Sequence, residues 1–351
     1  MAKPNHLVCV QHLLPSVAPL LKRVQQALDD RDIVVAGKPY STIPATIADL
    51  EAGGVSRLYS SPDDVPIQTL QGASLILDEG GRLHDRVPAS FASGMAGVEQ
   101  TTAGMRSPWK YPTVLVCRSA AKLIFESQIV GRGILRKLDS LELLAKASVG
   151  IIGSGAVGSE LALQLRALGL PVAVHDIRPL SGTLAELSRP LDELLATSNL
   201  ILGATGRDCL AGVSLCSLAP SVVFASCSSS NTEFASIGRF LGASCAFGPA
   251  TGTIGQSTVV LLNGGYPINF DRQQEWETAD EIDLTRQLCF HGLLQARSLV
   301  GSDPRGVMLD PKVQVRLVSA WLERVPEREA LRIPKDLDEH YFQARSEGEF
   351  R

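Results

Sequence analysis

The stretch VGIIGSGAVGSELALQLRALGLPVAVHDIRP, residues 149–179, decides the reading of this chain. Its apolar start, 149–152, reads as a buried strand. Gly153-Ser154-Gly155-Ala156-Val157-Gly158 follows at once, then a helical pattern with Leu161, Leu163, Leu165 and Leu168 that Gly169 closes. A second apolar run ends in His175-Asp176. Strand, glycine turn, helix and strand within about 30 residues make the unit that binds dinucleotides. Gly153 permits a tight turn, Gly155 leaves no Cβ between backbone and pyrophosphate, and Gly158 lets helix and strand approach. The helix head, with Ala156 and Val157, then presents N–H groups to an anion. Asp176 stands where a carboxylate accepts from the ribose hydroxyls and repels a 2′-phosphate, so NAD is expected rather than NADP.

Outward from this unit, the chain reads as alternating strands and helices. Strands are expected over 7–10, 32–36, 74–78 and 114–117 before it, with helices over 13–28 and 42–52. A long helix, or two broken at Gly131 or Gly133, is expected over 120–144. Later strands fall at 200–203, 222–225 and 258–262, and helices at 280–300 and 311–324. Such alternation predicts parallel sheets covered on both faces, with ligands at the carboxyl ends of the strands. His12, Ser41, Asp78, Glu79 and the 99–105 loop all fall at such ends.

Composition excludes several classes. The 351 residues are 45% hydrophobic and 20% charged, with a net charge of −4, which suits two globular domains. No run of like charge points to nucleic acid or an anionic membrane, and no segment approaches the ~20 apolar residues of a membrane span. The amino-terminal residues lack a signal-peptide pattern. Seven cysteines without any CxxC, and six scattered histidines, give no metal-ligand spacing and fit a reducing cytoplasm.

VEQTTAGM at 98–105, KLIFES at 122–127, GSGAVG at 153–158 and IPKDLDE at 333–339 together resemble the S-adenosylhomocysteine hydrolases, as do LILDEGG at 75–81, Gln11-His12-Leu13 and Tyr40-Ser41-Thr42. The resemblance implies a Rossmann domain over 129–287, set into a discontinuous α/β substrate domain of 1–128 and 288–351, and an NAD that is reduced and reoxidised in one turnover. It also implies catalytic roles for Lys122, its partner Glu126, Glu79 and His12, and cofactor contacts from Thr101 and Thr102. Thr205 and Asn263, beyond later strands of the cofactor region, join the expected NAD contacts.

The chain departs from that pattern at several places. Gln100 stands for a catalytic glutamate, Ser127 for an asparagine, Ser229 for a histidine, and Tyr266 interrupts a Gly-His-Pro. Leu14, Ser16 and Ile43 replace groups that recognise adenosine, and the family's carboxyl-terminal arm is missing. The reading is therefore an NAD-dependent enzyme that oxidises a secondary hydroxyl of a different small molecule, with Lys122 taking the hydroxyl proton. The outcome is either net dehydrogenation or a redox-masked elimination or hydrolysis. Two alternatives are the family's own hydrolysis and a non-catalytic NAD-binding partner protein. A plain 2-hydroxyacid dehydrogenase is disfavoured, because no Arg, Glu and His set stands in that family's places. A homodimer is expected, since the arm through which the family assembles is absent.

Overall fold

The computed structural model describes residues 6–28, 32–55, 57–105, 108–242 and 247–347. In chain order its strands are β1 (His6–Gln11), β2 (Asp32–Gly37), β3 (Arg57–Tyr59), β4 (Ala73–Asp78), β5 (Ala96–Glu99) and β6 (Thr113–Leu115). Then come β7 (Val149–Ile152), β8 (Val172–His175), β9 (Leu200–Gly203), β10 (Ser221–Ser226), β11 (Ala250–Ile254), β12 (Ser257–Leu261) and β13 (Gly306–Met308). The chain divides into two compact units. Unit 1 is Met1–Glu126 with Thr278–Arg351, and unit 2 is Ser127–Glu277.

Unit 1 is built on a seven-stranded, wholly parallel sheet in the order β13-β6-β5-β4-β1-β2-β3. Its central strands are buried on both faces; every residue of β4 is buried. That explains why they read as continuous apolar runs rather than alternating ones. The helix Ala279–Ser298, started by a Thr278–Glu281 capping box, packs on β4, β5 and β6. From β1 the chain adds β2 and β3 on one side, then crosses to add β4 on the other. The strand order thus reverses between β1 and β4, where sheets of this kind leave a crevice at the carboxyl ends.

Unit 2 carries a six-stranded sheet in the order β11-β12-β10-β9-β7-β8, parallel except for the edge pair β11–β12. Its reversal lies at β7, which has β8 on one side and β9 on the other. Ile134, Val149, Ile151, Leu161, Leu165 and Leu202 form the core under this point. This is a Rossmann-type arrangement.

Several sequence expectations need correction. Strands β3, β5, β11 and β13 carry too few apolar residues to stand out. The 114–117 strand is shorter, turning into a 3-10 segment at Val116–Arg118. No break occurs at Gly131 or Gly133: one helix runs over Ser127–Ser140, preceded by a π-turn at Lys122–Glu126. The glycines serve close packing instead. A Cβ on Gly133 would lie 2.5 Å from Glu277 Oε1, and one on Gly131 3.0 Å from Gln164 Nε2. Finally, the helix Ala279–Ser298 lies wholly within unit 1, so the units part at 277/278 rather than within that helix.

Candidate functional site

The glycine turn of unit 2 lies at the reversal of its sheet. Gly153 has φ +101, a conformation side chains resist, and a Cβ there would lie 2.8 Å from the Ala204 carbonyl oxygen. A Cβ on Gly158 would overlap the Gly153 carbonyl oxygen, so only glycine lets the helix Ala156–Ala167 seat on the turn. A Cβ on Gly155 would meet nothing within 4 Å. The space beside Gly155 is therefore open, as a pyrophosphate requires.

Asp176, just past β8, accepts from the Ser154 N–H at 2.7 Å, the Ser154 hydroxyl at 2.8 Å and the Arg178 N–H at 2.9 Å. Burial opposes its charge, yet these donors outweigh it and hold the carboxyl below its ordinary range. It is an ionised acceptor tied to the glycine turn.

Beyond β9, Thr205 is held by Glu233, a residue the sequence reading missed. The fully buried Glu233 carboxylate accepts from Thr205 N–H at 2.8 Å, Thr205 Oγ1 at 2.7 Å and Gly206 N–H at 2.7 Å. Asn263 sits at φ +48 and spends its amide on the carbonyls of Pro267 (2.9 Å) and Phe270 (3.0 Å), which makes it a brace for its own loop. Ser229 is exposed, and the Tyr266 ring packs on Phe247 at 5.2 Å.

In unit 1 the carboxyl ends of adjacent strands bring a charged set together. Glu79, after β4, receives His12 Nε2 at 2.6 Å and Lys38 Nζ at 3.0 Å, both on Oε1. His12 follows β1 and Lys38 follows β2. The other ring nitrogen, Nδ1, lies 2.6 Å from Ser41 Oγ. Burial lowers the His12 pKa against the pull of Glu79, which favours the neutral ring. Burial alone would raise Glu79, but His12 and Lys38 together force it well below the carboxylate range. Lys38 in turn is raised, burial being outweighed by Glu79.

Lys122 Nζ lies 2.6 Å from Glu126 Oε1 and 2.5 Å from Oε2, and Thr285 donates to Oε2 at 2.8 Å. Burial would lower Lys122, yet Glu126 outweighs it and the ammonium is favoured. At rest this lysine is therefore a cation, paired with Glu126. The pair stands on the π-turn, an irregularity often found at functional sites.

Two further polar groups were only partly legible. Glu99 pins the loops after β4 and β5, accepting from the N–H groups of Gly80 (3.0 Å), Gly81 (3.0 Å) and Thr101 (2.8 Å) and from Thr101 Oγ1 (3.1 Å). Burial and the neighbouring Asp78 push its pKa up to about 8. Thr102 opens the short turn Thr102–Gly104. Gln100 lies in a buried network: its oxygen accepts from Gln11 Nε2 (2.9 Å) and the Cys289 thiol (3.5 Å), while Arg286 donates to Gln11 Oε1 (3.0 Å) and Ser16 Oγ (2.9 Å). Among the described residues no cluster has the makings of a metal site, and six cysteines are free; Cys245 lies outside the described residues. No described helix is long and apolar enough to cross a membrane.

Comparison with known proteins bears on unit 2. Residues 119–206 match the family of the D-isomer specific 2-hydroxyacid dehydrogenase, NAD binding domain. The chain is 28% identical over 300 residues to an uncharacterized protein of Mycobacterium tuberculosis, covering 76% of this chain and 59% of that one. It thus spans about three-fifths of the length of the curated relatives it matches. Solved structures similar to it include a D-isomer specific 2-hydroxyacid dehydrogenase from Lactobacillus delbrueckii ssp. bulgaricus in its NAD-complexed form. That likeness has 14% identity, coverage of 86% of this chain and 99% of that chain, and a TM-score of 0.40. A phosphoglycerate oxidoreductase from Vibrio cholerae O395 is similar at 12% identity, with 78% and 96% covered and a TM-score of 0.41.

The family match overturns the resemblance to the S-adenosylhomocysteine hydrolases. It includes KLIFES and GSGAVG, two of the motifs that carry the resemblance, and assigns them to a dehydrogenase type of NAD domain. The reason is physical: the glycine turn and its acid answer to the dinucleotide, so they do not discriminate among reactions. The expectation that disfavoured a 2-hydroxyacid dehydrogenase is overturned as well for the cofactor unit, since the match falls on the NAD-binding residues themselves. The cofactor is NAD.

Proposed function

We propose that this chain is an NAD-dependent oxidoreductase that oxidises the secondary hydroxyl of a small molecule, with 2-hydroxy acids the first class to try. One observation carries the reading: the family match over 119–206 falls on a glycine turn whose geometry fits the cofactor, open at Gly155 and anchored by Asp176. Bound NAD supplies the hydride acceptor. Lys122, resting as an ammonium, donates to the hydroxyl oxygen and eases its ionisation. Lys122 then passes a proton to Glu126, 2.6 Å away, and the neutral amine so formed takes the hydroxyl proton as the hydride leaves the carbon, so the pair takes up one proton. Thr285 keeps Glu126 in line.

The test has two stages. Denaturing the purified protein and identifying the released nucleotide shows whether NAD is retained. Supplying NAD with lactate, glycerate and related hydroxy acids, and following NADH, reports turnover. NADH formation that Lys122→Ala abolishes while NAD binding persists supports the reading. NAD binding without NADH from any secondary alcohol rejects it.

A further inference from the structure

The two oxygens of Glu79 are treated unequally. Oε1 carries both the imidazole of His12 and the ammonium of Lys38. Oε2 is buried and, among the described residues, has no hydrogen-bond partner. The whole residue is 2% exposed, so bulk water does not solvate that oxygen. An ionised carboxylate oxygen left without a donor in a buried place is costly, and such atoms in native proteins meet a ligand or an ordered water. Its position narrows the choice. Glu79 begins the loop after β4, beside His12 after β1, at the reversal of strand order where parallel sheets take their ligands.

We propose that Glu79 Oε2 anchors a second hydroxyl of the substrate, adjacent to the one oxidised, so that the preferred substrates are vicinal diols rather than simple mono-hydroxy compounds. The inference builds on the hydroxyl-oxidising reading above. An acceptor-only oxygen selects for O–H or N–H and rejects a carboxylate, so the acid group of a hydroxy acid does not sit there. Nor does the reacting hydroxyl. A cation and an imidazole N–H on the neighbouring oxygen draw charge from the carboxylate, which makes Glu79 a poor proton acceptor but a good fixed acceptor. His12 has both ring nitrogens engaged, by Glu79 and Ser41, and serves as a positioning residue that aims the carboxylate. The proton-handling pair lies elsewhere, at Lys122 and Glu126. Thr285 donates to Glu126 and Arg286, the next residue of the helix Ala279–Ser298, donates to Gln11, which precedes the His12 bonded to Glu79, so one helix is tied to both groups.

Glycerate and lactate make the probe pair, since they differ by the one hydroxyl at issue. Calorimetric titration into the NAD-loaded protein is expected to show glycerate binding about tenfold or more tighter than lactate, the worth of one hydrogen bond to a charged group. Glu79→Gln should erase the preference. Because that variant leaves Lys38 buried without its partner, the Lys38→Met/Glu79→Gln double variant, which removes both charges, provides a second measurement with the same expected loss. Equal affinities, a preference that survives in both variants, or no binding of either probe overturns the proposal. NADH formation separates it from the wider reading. Lactate oxidised as well as glycerate leaves an oxidoreductase without a diol anchor. Glu79-dependent glycerate binding without NADH leaves the anchor and rejects the redox role.

Discussion

The hydroxyl of Ser346 accepts the backbone N–H of Ala120 at 3.1 Å, across 226 residues of chain. One residue on, the Ala121 N–H donates to Gln314 Oε1 at 3.2 Å. The first N–H groups of a helical segment have no partner within it and must find acceptors elsewhere. Here the acceptors come from the last two helices of the chain, Pro311–Leu322 and Glu339–Glu347, and both are buried. The turn that carries Lys122 and Glu126 is thus fixed from its head by the carboxyl-terminal segment. Phe125 adds an edge-to-face contact with Trp321 at 5.5 Å.

Removing these acceptors should loosen the turn without touching the cofactor unit. Gln314→Leu is expected to cost about 1–3 kcal/mol of stability, since a buried N–H is left unpaired. NAD affinity should stay as in the parent. Chemical denaturation and NAD titration of the same preparation check both halves.

Gly155 and Gly158 should separate binding from folding. Gly155→Ala has room for its Cβ, so its melting temperature should hold while NAD binding falls, because the methyl occupies the pyrophosphate's approach. Gly158→Ala forces backbone apart, with a loss on the order of 1–3 kcal/mol or more. Calorimetric melting and NAD titration of both variants make the comparison.

Asp176→Ala should weaken NAD by about 10- to 100-fold, the worth of hydrogen bonds from the ribose to a charged acceptor. The loss for NADP should be smaller, since the variant removes a repulsive charge. Paired titrations with the two nucleotides test this; an equal loss for both would assign Asp176 only to holding Ser154.

Acid should act on the Glu79 cluster. Its carboxyl is held below the unfolded value, so its contribution to stability is present above that unfolded value and is lost as pH falls through the acid range. The neutral His12 adds to the effect: its lowered pKa means that the unfolded chain takes up a proton sooner as pH falls. Stability of the parent protein should therefore drop more steeply on acidification than that of the Lys38→Met/Glu79→Gln double variant. Urea denaturation at several pH values measures the two slopes.

What the sequence disclosed follows from how local each signal is. Gly153, Gly155, Gly158 and Asp176 are set by one turn and its flanking strands, so their roles are legible in thirty residues of text. Lys122 and Glu126 are a helical spacing apart and could be paired on paper. Glu233, Glu99 and Gln314 could not. Each works on backbone that is brought to it only by the fold, and nothing nearby marks a buried clamp from a surface glutamate or glutamine. Lys38 is equally hard to read from sequence, since its partner Glu79 follows β4 and is brought to it only by the sheet. The oxidation of a hydroxyl was legible through the cofactor unit, whereas the family was not, because the glycine turn and its acid report the dinucleotide and not the substrate. The side chains that would report the substrate lie in loops with no shared pattern.

Unit 1 is assembled from both ends of the chain, and this has a consequence for synthesis. The described strands of unit 2 lie between residues 149 and 261, so its sheet is complete in sequence soon after it leaves the ribosome. The sheet of unit 1 starts earlier but finishes later. Its covering helix, Ala279–Ser298, and its edge strand β13 are made only after the whole of unit 2 has emerged. During that interval the apolar faces of β4, β5 and β6 wait without their cover, while the NAD-binding unit is free to form. Nascent chains stalled before residue 278 are thus expected to hold nucleotide and to bind chaperones through the unfinished amino-terminal sheet.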